Sequence, residues 1–155
     1  MDDWKLPWEG GCRCGAVRFR VTAPPLLAAA CHCTGCQRMT SSAYALSLTL
    51  TKGGFEVTKG EPVLGGLQAE PKHYHCPACK SWMYTCPSSL PWMVNLRPTM
   101  LDDHAWFRPL IDVYRAEGFA WAETGAKHSF DTVPGDDAAF GPLVAEYAAE
   151  AARPG

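Results

Sequence analysis

The sequence has no long hydrophobic run and no concentration of charge of one sign. Its 155 residues contain no stretch of about 18 apolar residues, the length that a membrane-spanning helix needs. The formal net charge is −2, and the lysines and arginines do not cluster. A basic patch is what draws proteins to phosphate backbones. We therefore expect neither a membrane protein nor a nucleic-acid-binding protein.

The first residues also lack the pattern of a secretory signal. Residues 1–5 contain no basic segment followed by an apolar one, so a cytoplasmic location is the default expectation. Eight cysteines in a reducing compartment are typical of metal ligands rather than disulfides. A disulfide framework and an iron–sulfur cluster remain the alternatives.

Glycine and proline are abundant, with 14 and 13 residues, which favours short strands and many turns over a helical bundle. Alternating apolar residues predict half-buried strands. The predicted strands are 16–21, 44–50, 55–58, 63–67, 72–75, 81–85, 92–96 and 110–114. Residues 1–9 are expected to form a loose arm, followed by a turn at Gly10-Gly11. Helix is expected only as a short turn at 34–40 and near the end at 139–151. The prediction is one mainly β domain over 1–155.

The densest chemical signal is the sequence Cys31-His32-Cys33-Thr34-Gly35-Cys36. In an extended segment, residues two apart point to the same side, so Cys31 and Cys33 face one way and His32 the other. A turn at Thr34-Gly35 brings Cys36 back to the same point. Three thiolates suit tetrahedral zinc, which binds sulfur at about 2.3 Å, and they leave a fourth position for water or substrate. We predict a catalytic zinc site here.

Two further cysteine pairs are far apart in the chain. Together they supply the four thiolates of a closed zinc site, which would join the first predicted strand to a mid-chain hairpin. These predicted ligands are Cys12, Cys14, Cys76 and Cys79. The alternative is that one pair joins the Cys31 cluster and leaves the other without a metal. Cys86 is expected to be a free thiol, and His73 and His75 to lie near the metal or at the surface rather than bind it.

These motifs together resemble the glutathione-dependent formaldehyde-activating enzyme family, which also includes centromere protein V. The opening motif is GGCRCGAVRF at 10–19, the second is CHCTGCQR at 31–38, and the third is CPAC at 76–79. MLDD at 100–103 and Trp121 are weaker marks. The resemblance covers about 10–125. The joint order of the three cysteine motifs is specific, whereas each alone would be weak.

The resemblance implies a fold of folded-over antiparallel sheets around zinc knuckles, shared with Rab-binding exchange-accessory proteins. It implies a structural zinc at Cys12, Cys14, Cys76 and Cys79, and a second zinc with glutathione near it at Cys31, Cys33 and Cys36. Arg38 is a candidate to bind a glutathione carboxylate, and Ser41 lies close to the second zinc. The family reaction joins formaldehyde to the glutathione thiol, which is a carbon–sulfur lyase reaction in reverse. Oligomeric state is left open, with a homodimer as one option.

Three departures from the family pattern alter the expected pocket rim. Lys80 stands where the family usually has glycine, which costs stability if that residue has a positive φ. Ser41 stands where the family often has glycine, and Arg97-Pro98 replaces a commonly glycine-containing stretch.

From the cysteine motifs and the resemblance, we expect a zinc-dependent carbon–sulfur lyase-type enzyme acting on glutathione or another small-thiol adduct. The alternative is a non-catalytic zinc-binding protein-interaction module.

Overall fold

The computed structural model describes residues 3–67 and 70–155. Eleven strands and two α-helices lie in this part of the chain. They are β1 (Trp8–Gly11), β2 (Arg18–Val21), β3 (Leu27–Cys31), α1 (Thr34–Thr40), β4 (Ala45–Thr51), β5 (Phe55–Lys59), β6 (Val63–Gly65), β7 (Lys72–His75), β8 (Trp82–Cys86), β9 (Met93–Leu96), β10 (Ile111–Val113), β11 (His128–Ser129) and α2 (Asp137–Glu150). None of the helices in these two ranges is long and apolar enough to cross a membrane.

The strands form two sheets. One has three strands in the order β1-β2-β5, and the other has eight in the order β11-β10-β3-β4-β9-β8-β7-β6. The pairings are antiparallel except for β10, which runs parallel to both β3 and β11. The predicted fold class, mainly β with antiparallel sheets and a short C-terminal helix, is confirmed. The parallel pairings and the two-residue strand β11 were not predicted.

The two sheets pack through aromatic and aliphatic side chains. In β2, Phe19 and Val21 are fully buried, whereas the arginines that alternate with them are partly exposed, as the sequence pattern predicts. The Phe19 ring lies 5.3 Å from that of Phe55, which lies 4.9 Å from that of Tyr84 in β8. Side chains of the small sheet therefore reach directly into the face of the large one.

The N-terminal segment is held against the core, so the expected loose arm at 1–9 is wrong for the residues that the structure describes. Trp4 and Trp8 are both buried, and Trp8 Nε1 donates to the carbonyl of Trp4 at 2.6 Å. The Trp8 ring lies 5.0 Å from that of Trp106. Burial of two large aromatic side chains stabilises a segment that has almost no alternating pattern of its own.

The C-terminal helix closes the same aromatic cluster. It was expected at 139–151 and is found at Asp137–Glu150, with the Asp136 side chain accepting from the amide of Ala139 at 3.2 Å as an N-cap. Leu143 and Tyr147 are buried. Because the Tyr147 ring lies 5.9 Å from that of Trp4, the helix and the N-terminal segment depend on each other.

Gly10 and Gly11 do not form the expected turn, because both belong to β1 and pair with β2. The reason is a close backbone approach. Leu101 forms a β-bridge with Gly10, and the amide of Asp102 donates to the carbonyl of Glu9 at 3.0 Å. A Cβ atom on Gly10 would lie 2.4 Å from the carbonyl oxygen of Met100. The glycine of the first motif and the MLDD segment are therefore parts of one contact.

We predict that Gly10→Ala lowers the free energy of unfolding by about 2 kcal/mol or more, since the added methyl group meets backbone and the Phe19 ring. Gly53→Ala is the matched control, because nothing lies within 4 Å of its added Cβ. That variant should stay within about 0.5 kcal/mol of the parent. Urea unfolding followed by tryptophan fluorescence measures both, and equal losses would contradict the proposed contact.

Candidate metal centres

The first group of cysteine sulfurs joins two distant segments. Its four sulfur atoms all lie within 4.8 Å of one another and could hold a metal ion; they belong to Cys12, Cys14, Cys76 and Cys79. Cys14 Sγ lies 3.7 Å from Cys12 Sγ and 3.8 Å from Cys76 Sγ. The first pair follows β1, and the second lies in the turn between β7 and β8. The structure thus brings together the two pairs that the sequence grouped, and the alternative of either pair joining the Cys31 cluster does not occur.

Backbone amides point at these sulfurs. Val17 donates to Cys12 Sγ at 3.3 Å, and the amides of Ala78 and Cys79 donate to Cys76 Sγ at 3.4 Å each. Hydrogen bonds of this kind stabilise a thiolate over a thiol. The side-chain hydrogen bond from Ser81 lowers the pKa of Cys79 to about 5. The turn is therefore suited to hold sulfur in the ionised form that binds metals.

Lys80 has the positive φ at which lysine in place of glycine was expected to cost stability. Its φ is 62°, in the left-handed region, and its amide donates to the carbonyl of Cys76 at 3.0 Å. A second hydrogen bond closes the turn, in which the amide of Cys76 donates to the carbonyl of Ser81 at 3.1 Å. A left-handed residue costs a lysine roughly 1–2 kcal/mol and costs glycine almost nothing.

The second group consists of three sulfurs from one local segment, Cys31, Cys33 and Cys36, again within 4.8 Å of one another. Cys31 ends β3 between β4 and β10. Cys33 is the N-cap of α1, and its sulfur accepts from the amide of Cys36 at 3.3 Å. Helix α1 spans Thr34–Thr40, which is the predicted range. In residues 3–67 and 70–155 no histidine, aspartate, glutamate or further cysteine joins the group.

Hydrogen bonding within this group changes the acidity of Cys31. The hydrogen bond with Cys36 is the main cause that lowers the pKa of Cys31 to about 6. Burial opposes the change, while the amide of Cys33 and the positive charge of Arg97 add to it. Burial raises the pKa of Cys33, and the hydrogen bond with Cys31 raises the pKa of Cys36. Cys31 is therefore the cysteine of this group whose ionised form is most favoured.

His32 points away from the sulfurs, as the extended segment predicted, and is fully buried. Its Nε2 lies 2.8 Å from Oδ1 of Asp112 in β10, and the Thr124 hydroxyl donates to the same oxygen at 2.8 Å. Its amide donates to the carbonyl of Val113 at 2.9 Å. These contacts fix the peptide between the first two cysteines of the cluster, a positioning role for Asp112 that the sequence did not reveal.

A second set of contacts holds the start of α1. Gln37 Nε2 donates to the carbonyls of His32 at 2.8 Å and Glu117 at 3.1 Å. The Glu117 carboxylate accepts from the amide of Thr34 at 3.0 Å and from its hydroxyl at 3.1 Å. Both ends of the cluster segment are therefore tied to the 111–117 region.

Arg97 is the charged residue that sequence reasoning did not place at the cluster. It is 9% exposed, and its guanidinium carbon lies 4.0 Å from the centre of the Trp82 ring. Burial lowers the pKa of Arg97 to about 10, and the sulfurs of the cluster act in the opposite direction. The sequence showed this residue only as part of Arg97-Pro98, a departure from the family pattern at the expected pocket rim, directly after the half-buried strand β9.

Comparisons with known proteins identify the family. Residues 7–117 match the family model described as glutathione-dependent formaldehyde-activating enzyme. The chain belongs to this family. A Halomonas elongata protein named "Putative glutathione-dependent formaldehyde-activating enzyme" is 31% identical over 102 residues, which cover 61% of this chain and 65% of that protein. A crystal structure of a Rhodobacter sphaeroides protein matches with 24% identity and a TM-score of 0.48, covering 61% of this chain and 87% of that one.

Both cysteine groups lie inside the region that matches the glutathione-dependent formaldehyde-activating enzyme family. The predicted glutathione contacts lie at or after α1. Arg38 is exposed, and Ser41 is an exposed C-cap with φ 52° and ψ 38°. That left-handed conformation explains why glycine suits the position in the family. The roles of both residues in binding stay predictions.

Three further residues that the sequence analysis considered as metal ligands, His73, His75 and Cys86, lie outside both cysteine groups. His73 Nδ1 is 2.8 Å from the Thr85 hydroxyl, and the His75 ring is stacked on that of Trp82 at 6.5 Å. Burial raises the pKa of the half-buried Cys86 thiol. None of the three belongs to either group among the described residues, and their roles stay predictions.

We predict that Lys80→Gly has a free energy of unfolding about 1 kcal/mol higher than Lys80→Ala. Both changes remove the same side chain and its contact with the Pro77 carbonyl, but only glycine relieves the left-handed backbone. Denaturant unfolding of the metal-loaded proteins provides the comparison. Equal stability of the two variants would mean that the turn carries no such strain.

Proposed function

We propose that this protein is a zinc-dependent enzyme that makes or breaks a carbon–sulfur bond in an adduct of glutathione or another small thiol, such as S-hydroxymethylglutathione. The observation that supports it is a cluster of three sulfurs, Cys31, Cys33 and Cys36, without a fourth protein ligand among the described residues. The family name supplies glutathione and formaldehyde as the expected reactants. All eight cysteines are free, which suits the reducing cytoplasm that we propose as the compartment.

The four-sulfur group fits a zinc ion by its dimensions. Zinc binds sulfur at about 2.3 Å in a tetrahedron, so neighbouring sulfurs should be separated by about 3.8 Å. The distances of 3.7 Å and 3.8 Å from Cys14 to Cys12 and Cys76 agree with this value. An all-sulfur donor set favours zinc or iron–sulfur clusters over harder cations. We assign this group, with Cys79, as a structural zinc site, and the three-sulfur group as a second site.

The chain's own residues set the conditions for chemistry at the second site. When bound there, zinc would supply a Lewis-acidic position that keeps an added thiol ionised near neutral pH. His32 is turned toward Asp112 and does not compete for that position. In the reaction, the thiol sulfur attacks the formaldehyde carbon and the carbonyl π electrons move to oxygen. The proton lost from sulfur ends on that oxygen, and the reverse reaction cleaves the same bond.

The two sites should respond differently to cysteine substitution. We predict that Cys76→Ser lowers the free energy of unfolding by more than about 4 kcal/mol, because it disrupts a site that joins segments 62 residues apart. Cys36→Ser should cost only about 1–2 kcal/mol, since that site closes a local segment, but it should abolish activity. Thermal unfolding and zinc analysis measure both variants. A less stable Cys36→Ser protein would reverse the assignment.

Thiol binding tests the proposed function directly. We predict that the cobalt-substituted protein develops a new sulfur-to-metal charge-transfer band when glutathione is added, and that Cys36→Ser does not. A rate of S-hydroxymethylglutathione formation above the uncatalysed rate should accompany it. If no small thiol changes the spectrum, the cluster is closed or purely structural. In that case the interaction-module alternative explains the protein better.

A further inference from the structure

Arg97 is a buried positive charge with no carboxylate partner in the described part of the chain. Its two terminal nitrogens donate to the Leu46 carbonyl at 2.9 Å and to the Thr85 hydroxyl at 3.3 Å. Its Nε is buried and has no hydrogen-bond partner within residues 3–67 and 70–155. None of the ion pairs in these ranges includes it. A buried charge is costly unless an opposite charge compensates it.

The nearby opposite charge comes from the cysteine cluster. Leu46 follows Ala45, which is the β-pairing partner of Cys31. The Arg97 guanidinium therefore hydrogen-bonds to the residue that follows the strand partner of Cys31. Burial lowers the pKa of Arg97, and negative charge on Cys36, Cys31 and Cys33 acts in the opposite direction.

The net charge of the second site depends on which ligand takes the fourth position. Three thiolates around a divalent ion carry one net negative charge, and an anionic fourth ligand adds another. A fixed positive charge at Arg97 offsets that increase, whereas it gives no advantage to a neutral ligand. We propose that Arg97 is a positioning residue that makes the Cys31–Cys33–Cys36 site selective for an anionic thiolate over a neutral ligand. This inference rests on the proposed function of that site.

A structural role for Arg97 is the competing explanation. The side chain connects β4, β8 and the end of β9, so its removal could disturb the sheet next to the cluster. Such a disturbance would weaken the binding of every ligand alike. Loss of charge selectivity would instead weaken the binding of thiolates far more than that of neutral ligands. Arg108 is the matched control, because it is an exposed arginine outside both cysteine groups whose charge is screened by solvent.

The test uses cobalt-substituted full-length protein, titrated with 2-mercaptoethanol and separately with imidazole at one pH and one ionic strength. We expect Arg97→Gln to lower the affinity for 2-mercaptoethanol relative to imidazole by roughly 10- to 100-fold, as for loss of one charge at close range in a partly buried site. Arg108→Gln should leave that ratio within about threefold of the parent. The absorption spectrum reports binding without any assay of activity.

Two results would overturn the inference. An unchanged affinity ratio in Arg97→Gln would assign the residue a structural role only, while thiol binding by the parent would leave the proposed function intact. If the parent binds no thiol, the proposed function fails, and the inference fails with it. Should Arg97→Gln not fold, Arg97→Met takes its place, because methionine also removes the charge and keeps an unbranched side chain. The same 10- to 100-fold fall in the ratio is expected, and an unchanged ratio would overturn the inference.

Discussion

The convergence of four sulfurs from two distant segments is the constraint on which the rest of the fold depends. Cys14 and Cys76 are 62 residues apart, yet their sulfurs lie 3.8 Å apart. The first pair lies in the connection between β1 and β2 of the three-stranded sheet, and the second lies in the turn between β7 and β8 of the eight-stranded sheet. A metal ion at this point would bind only the folded arrangement, so its binding free energy would count as folding free energy. The aromatic contacts of Phe19, Phe55 and Tyr84 then fill the space between the sheets.

Part of this structure follows from the sequence alone. Period-two patterns located most strands, and the cysteine spacing grouped the cysteines as the structure has them. The failures share a physical cause, which is stabilisation by partners far away in the chain. Trp4 and Trp8 are ordered by Trp106 and Tyr147, and Gly10 is needed because the 100–102 segment and the Phe19 ring approach it. No local propensity records such contacts.

Arg97 was missed at the site for the same reason. An arginine after a β-strand is ordinarily a surface residue, and only the tertiary arrangement places this one over Trp82 and next to Leu46. Arg38 looked like the better candidate because it lies in the cysteine motif, yet it is exposed. Position in a motif therefore predicted which sulfurs lie together, but it did not indicate that Arg97 is buried.

The two cysteine groups also compensate negative charge in different ways. In the four-sulfur group, three backbone amides donate to Cys12 and Cys76, and Cys14 is exposed to solvent. In the three-sulfur group, the amide of Cys36 donates to Cys33 at 3.3 Å, and the three sulfurs are partly buried. Amides and water suit a closed site whose charge never changes. A mobile ligand changes the charge each time it binds, and a fixed cation such as Arg97, whose pKa of about 10 keeps it protonated at neutral pH, can stabilise the more negative state without rearrangement.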